Sequence, residues 1–213
     1  GAVRVLTMTS GENRLSPATL NEWMATFDRL EERRLPQALV VTGEDQYWST
    51  GLDLDAVEAM SVDEQAAFMA DFDRLLYRIL TAPFVTIAAL NGHTYAGGAL
   101  LSLAFDYRIM RCDRGFFCLP SVDIGIPFSH GMTELITAKL PQPTAHDLVV
   151  SCRRIGAREA VILGVVNRAE EQRNVMPVSM ELAHAYSGKD PATLSTVKRR
   201  MYHDAATLLA GDG

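Results

Sequence analysis

Two patterns of apolar residues recur along this chain. "QALVVTG" (residues 37–43) and "FVTIAAL" (84–90) are short, nearly unbroken apolar runs, which predict strands buried on both faces. "AVRVLTMT" (2–9) alternates in part and is rich in β-branched residues, so it also reads as a strand. "DYRIMRCD" and "RGFFCLP" predict two more. Between these runs the period changes. In "LSPATLNEWMATFDRLEERR", Leu20, Trp23, Met24, Phe27 and Leu30 recur at helical spacing, with Ser16 able to cap and Pro17 in the first turn. "VDEQAAFMADFDRLLYRILTA" predicts a long amphipathic helix stopped near Pro83, with Met69 and Phe72 in its core stripe. "AGGALLSLAF" predicts a helix after the second apolar strand. "SHGMTELITAKL", "PTAHDLVVSC" and "AREAVILGVV" predict three more, and "PATLSTVKRRMYHDAATLLA" one terminal helix capped by Asp190. Buried strands alternating with helices give a mixed α/β fold with a helical C-terminal third.

Composition narrows the partners. At 213 residues, the chain can bury a full core without disulfides or metal. Its formal net charge of -6 argues against nucleic acid, whose phosphates need a basic surface. Three cysteines without CxxC spacing point to a reduced, cytoplasmic setting. The five histidines form no zinc-type pair, so no metal is expected. No apolar run has the length of a membrane span.

Candidate chemistry lies in two stretches with the same layout, "ALVVTGEDQYWSTGLDL" and "VTIAALNGHTYAGGALLSL". Each runs from a buried strand through a turn to glycine beside a helix start. Glycine lets a ligand approach the main chain, and the first turn of a helix has unpaired N–H groups. Two such groups converging on one point would stabilise an oxyanion. Taken singly, either stretch reads more readily as an ordinary turn.

Together and in order, with "TIAALNGHTYAGGALLSLAFDYRIM", "FCLPSVDIGIP" and "GAREAVILGVVNRA", they resemble the crotonase superfamily of enoyl-CoA hydratases and isomerases. "DYRIMRCDRGFF" followed by "VDIGI" is most similar to the 3,2-enoyl-CoA isomerase branch. The resemblance implies a spiral of ββα units over residues 1–140. It implies a helical oligomerisation region over 141–213, building a homotrimer or a dimer of trimers. The implied ligand is an acyl-CoA thioester, with no cofactor beyond the coenzyme A that the substrate carries. By the same resemblance the oxyanion donors fall at Leu52 and Gly97. Ser49, Thr50, Gly51, Asp53, Leu54 and Gly98 fall in the substrate-binding segments.

The resemblance also implies carboxylates that this chain lacks. The three positions where the family places its proton shuttles hold Leu100, Ser121 and Ser129. A serine is a poor base at neutral pH unless another group activates it. A histidine is a common acid–base group near neutral pH, which makes His130 a candidate. Asp123, in an extended segment, would share a face with Ser121. Both are candidate replacements, each with an ordinary structural alternative. Glu134 and His93 read more readily as structural, and Cys118 and Cys152 as core thiols. Lys198, Arg199 and Arg200 are either a solvated helix face or a phosphate contact. Three functions remain open: an isomerase- or hydratase-type enzyme with a non-standard acid/base, a non-catalytic acyl-CoA- or partner-binding protein, and a thioester hydrolase using His130 or water.

Overall fold

In the computed structural model, which describes residues 1–211, the elements follow in this order: β1 (Ala2–Met8), α1 (Pro17–Glu31), β2 (Gln37–Gly43), β3 (Tyr47–Ser49), α2 (Leu54–Glu58), α3 (Val62–Leu80), β4 (Val85–Leu90), β5 (His93–Tyr95), α4 (Gly97–Ala104), β6 (Tyr107–Arg111), β7 (Phe117–Cys118), α5 (Ser121–Ile124), α6 (His130–Lys139), α7 (Gln142–Ser151), α8 (Ala157–Ile162), β8 (Arg168–Glu170), α9 (Gln172–Tyr186), α10 (Pro191–Met201) and α11 (His203–Ala210).

The strands form two parallel sheets, β1-β2-β4-β6-β8 and β3-β5-β7. Successive pairs, β2 with β3, β4 with β5 and β6 with β7, each place one strand in the large sheet and one in the small. A helix then carries the chain back. This is the expected spiral of ββα units.

Alternation sorts the apolar runs between two cores. Leu39, Val41, Ala88, Leu90 and Met110 pack towards α1, α3, α4 and α6. Ala38, Val40, Val85, Ile87, Ala89 and Ile109 face the other way, onto α9. A continuous apolar strand requires a cover on each side. The second cover, α9, has no counterpart among the helices expected from sequence. Pro177 lies inside it and breaks the signal. The short strand β8 was likewise not expected.

Helix starts follow the sequence closely. Ser16 and Thr19 form a capping box on α1, and Ser61 and Glu64 form one on α3. Asp190 Oδ1 accepts the Thr193 N–H at 2.8 Å. The single terminal helix expected after it is two. The chain leaves the helical region at Tyr202 (φ -113°, ψ 33°). The bend seats Ala205, Ala206 and Leu209 of α11 in the core. No described helix is long and apolar enough to cross a membrane.

Candidate active site

The loop from β1 to α1 builds the first half of the site. Asn13, buried at φ 51°, donates from Nδ2 to the carbonyls of Tyr47 and Trp48. Ser49 Oγ donates to Asn13 O at 2.8 Å and accepts the Gly51 N–H at 3.2 Å. The Thr50 N–H reaches Glu12 O at 3.0 Å, and the Asp53 N–H reaches Leu15 O at 2.9 Å. The N–H groups of residues 50, 51 and 53 are thereby engaged. The Leu52 N–H, between them, has no acceptor among the described residues. Gly51 makes this turn possible at φ +94°, where a side chain is strained.

The second half is the start of α4. The Ala96 N–H donates to Cys118 O at 3.0 Å, and Gly97 opens the helix with no acceptor for its own N–H among the described residues. Ala96 holds φ 48°, ψ -122°, a region that non-glycine residues avoid. Strain of this kind costs about 1–3 kcal/mol and gathers at working sites. The halves touch. A Cβ on Gly51 would stand 2.5 Å from Gly97 N, and one on Gly97 would stand 3.3 Å from Leu52 N. Two open N–H groups thus share one small region of backbone.

They border a cleft with ≈ 530 Å³ of empty space. Leu52, Leu100, Met69, Phe72, Phe128 and Met132 supply most of its wall, and Ile124, Ile126 and Leu54 stand at partly exposed positions around it. The polar side chains in the lining are those of Thr50 and Ser121. Among the described residues, no carboxylate, histidine, lysine or arginine lines the cleft. The arrangement can bind an apolar chain and hold an anionic oxygen on the main chain.

The structure sorts the expected residues. Thr50, Leu52, Leu54, Gly97, Leu100 and Ser121 line the cleft. Met69 and Phe72, expected only as helix core, form part of its wall. Ser49 and Gly98 lie beneath it: both are buried, and a Cβ on Gly98 would come within 2.8 Å of Ser49 Cβ. They pack α4 closely on β3. Asp53 precedes the first turn of α2 without a side-chain capping bond and stands 3.7 Å from Arg14 Nη1, on another surface groove.

Asp123 does not share a face with Ser121. The segment is helical, not extended, so two residues turn the side chain by about 200°. Asp123 is exposed, and Ser121 is buried. His130 is exposed at the first position of α6 and is not among the residues lining the cleft. Ser129 caps α6 by accepting the Met132 N–H at 3.1 Å. Glu134 is likewise outside the lining. His93 bonds Tyr95 through Nδ1 at 2.7 Å inside an aromatic cluster with Tyr47 and Phe116, a structural role.

Lys198 is neither solvated nor free for phosphate. It is buried, with Nζ 2.7 Å from Asp106 Oδ2 and 3.0 Å from Phe84 O. Cys118 and Cys152 are buried free thiols. The sequence reading missed Asn13, whose backbone-bracing role carries no motif. It also missed Asp73, which accepts a hydrogen bond from Ser129 Oγ. Burial raises the Asp73 carboxyl to about 6, partly opposed by that hydrogen bond.

The family model described as enoyl-CoA hydratase/isomerase matches residues 1–211. Enoyl-CoA delta isomerase 3 of Arabidopsis thaliana is 27% identical over 98% of this chain and 92% of its own length. Carnitinyl-CoA dehydratase of Escherichia coli is 32% identical over 79% of this chain and 64% of its own. The crystal structure of human mitochondrial delta3-delta2-enoyl-CoA isomerase superposes with a TM-score of 0.90, covering 97% of this chain and 82% of that one. At 22% identity, that likeness speaks for the fold alone.

Proposed function

This chain belongs to the enoyl-CoA hydratase/isomerase family, and from that premise we propose that it binds an acyl-CoA thioester in the cleft and stabilises the enolate. The thioester oxygen would sit on the N–H groups of Leu52 and Gly97. One observation carries this reading: of the N–H groups at positions 50–53, only that of Leu52 lacks an internal acceptor, and it adjoins the open Gly97 N–H at the cleft. Backbone donors held this way need no reorganisation as charge develops on the oxygen.

The reaction favoured is a double-bond shift in a 3-enoyl thioester. Hydration calls for groups that both activate water and protonate carbon, and the lining has no carboxylate for either task. An isomerisation needs one group that removes and returns a proton. The coenzyme A portion arrives with the substrate, and no further cofactor is required. A second reading, acyl-CoA binding without turnover, is favoured by that same unionisable lining. The exposed positions of Val150, Ile162 and Met201 support assigning 141–213 to assembly, as a homotrimer or a dimer of trimers. Sedimentation would test that assignment.

Calorimetry with acetyl-CoA and a longer acyl-CoA tests binding. A spectrophotometric assay of a 3-enoyl-CoA becoming the conjugated 2-enoyl isomer tests turnover. Binding with conversion supports the enzyme, and binding without conversion supports the second reading. No binding at saturating ligand would sink both.

A further inference from the structure

Asp73 has surroundings unlike those of an ordinary surface carboxylate. It stands on α3 directly after Phe72 and one turn after Met69, both in the cleft wall. Its Oδ1 accepts from Ser129 Oγ at 3.1 Å. Ser129 in turn directly follows Phe128 and precedes Met132 by three residues, and both of these line the cleft. The pair therefore closes the seam between α3 and the start of α6, bordered by four cleft residues.

No cation compensates this carboxylate among the described residues. On its own helix, Arg74 pairs with Asp71 at 2.8 Å, and Arg78 pairs with Asp28 and Glu31 of α1 at 2.8 and 3.1 Å. Asp63, Glu64 and Tyr77 are the other titratable groups of α3. Beyond the two acids that Arg78 holds, α1 carries Glu22 and Arg29. His130, Glu134 and Lys139 lie on α6, His203 and Asp204 on α11, and α4 has no titratable side chain. None of these forms an ion pair with Asp73.

We propose that Asp73 is the acid–base group serving the cleft, reaching the substrate through one water at the seam between Phe72 and Phe128. This deepens the isomerase reading and rests on it. A water beside C2 of a 3-enoyl thioester takes the C2 proton as it passes its own to the Asp73 carboxylate. The C2–H electron pair moves into the C1–C2 bond, and the thioester oxygen takes the negative charge against Leu52 and Gly97. In the return step the proton travels from Asp73 through water to C4. The C3–C4 π pair forms the new C4–H bond, the carbonyl is restored, and the double bond is left between C2 and C3. Carboxylate and water are regenerated. A carboxyl titrating near 6 is ionised at neutral pH and can still hold the proton between the two steps.

The test uses the full chain, a 3-enoyl-CoA and exchange of the C2 proton in deuterated water. Asp73→Asn should lower kcat ~10²–10⁴-fold with little change in acyl-CoA affinity, and should abolish the acid limb of the pH profile. Ser129→Ala removes a hydrogen bond that favours the ionised carboxylate, so the limb should move to higher pH, and Ser129→Thr should restore it. A merely structural role would leave that limb in place. If Asp73→Asn does not fold, the Ser129 pair decides. A folded Asp73→Asn with wild-type kcat and profile overturns the proposal, as does an unmoved limb in Ser129→Ala. A wild type that binds acyl-CoA yet neither converts nor exchanges at any pH overturns it too, while leaving the binding reading intact. Absence of binding defeats both.

Discussion

The cleft and the core beneath the C-terminal helices treat charge in opposite ways. Around the cleft the polar side chains are two hydroxyls, and the groups able to meet a negative charge are main-chain N–H donors. Beneath α10 and α11, full charges are buried. Lys198 pairs with Asp106 at 2.7 Å, and Asp106 Oδ2 also accepts the Thr86 N–H at 2.8 Å. The Arg108 guanidinium is buried against the carbonyls of Ser102, Leu103, Phe105 and Val165. Lys139 Nζ lies 4.7 Å from the centre of the Tyr202 ring. Lys198 here fastens α10 to the segments that lead into β4 and β6, while main-chain N–H groups at the cleft are left open. Long-chain cations are poor evidence of ligand binding when their charge is absorbed inside the fold.

The sharpest way to break this contrast is Lys198→Ala. It strands Asp106 inside the protein, and breaking a buried pair from one side costs ~3–5 kcal/mol. Urea unfolding should show a loss of that size, with acyl-CoA affinity of the folded fraction unchanged. A large drop in affinity would mean that the two regions are not separate.

Gly97→Pro attacks the other side. It deletes an N–H, and removing one oxyanion donor costs ~3–4 kcal/mol in the transition state. Proline is tolerated at the first position of a helix. Gly97→Ala is the control: it adds a Cβ with contacts of 3.3–3.4 Å but keeps the N–H. Turnover should collapse in the proline variant and fall far less in the alanine one. Equal losses would assign the effect to crowding.

A smaller effect sharpens the view of Asp73. Its folded-state pKa lies above its ordinary value, at about 6. Between pH 4 and 6 the folded chain holds the proton more tightly than the unfolded chain, so this group's contribution to stability falls as pH rises through that window. At pH 7 Asp73→Asn should therefore stabilise the fold, by about 1 kcal/mol once the screening of a part-exposed group is allowed for. Greater stability with lost turnover would be the mark of a residue kept for function. Destabilisation at pH 7 would mark a structural one.

A separate pH effect concerns Lys139, whose burial lowers its ammonium to about 7. Above that pH the unfolded chain still binds the proton that the folded chain has released. Stability should therefore gain from this group as pH rises from about 7 towards the ordinary lysine value. Lys139→Met should flatten that part of the unfolding profile. An unchanged slope would show that the ammonium is better hydrated than its setting suggests.

Some of this was written in the chain itself. Unbroken apolar strands, capping boxes and prolines at helix starts fix most elements locally, because each acts within a few residues. The glycine turns of residues 51 and 97–98 were visible for the same reason. Gly51 must adopt φ +94°, and a Cβ on Gly98 would run into β3. The absence of carboxylates at Leu100, Ser121 and Ser129 was likewise a property of the letters alone.

Tertiary structure decided the rest. Helix α9 is held by the second face of the sheet despite Pro177, so long-range burial overrode a local break. Asp123 and Ser121 parted because a four-residue helix, marked by no strong local signal, replaced an extended segment. Lys198 went inward because Asp106, 92 residues away in sequence, was there to meet it. Asp73 looked like one more polar position on an amphipathic helix until Ser129, 56 residues further on, donated to it. Periodicity and caps are short-range, whereas desolvation, ion pairing and the openness of a single N–H depend on segments that only folding brings together.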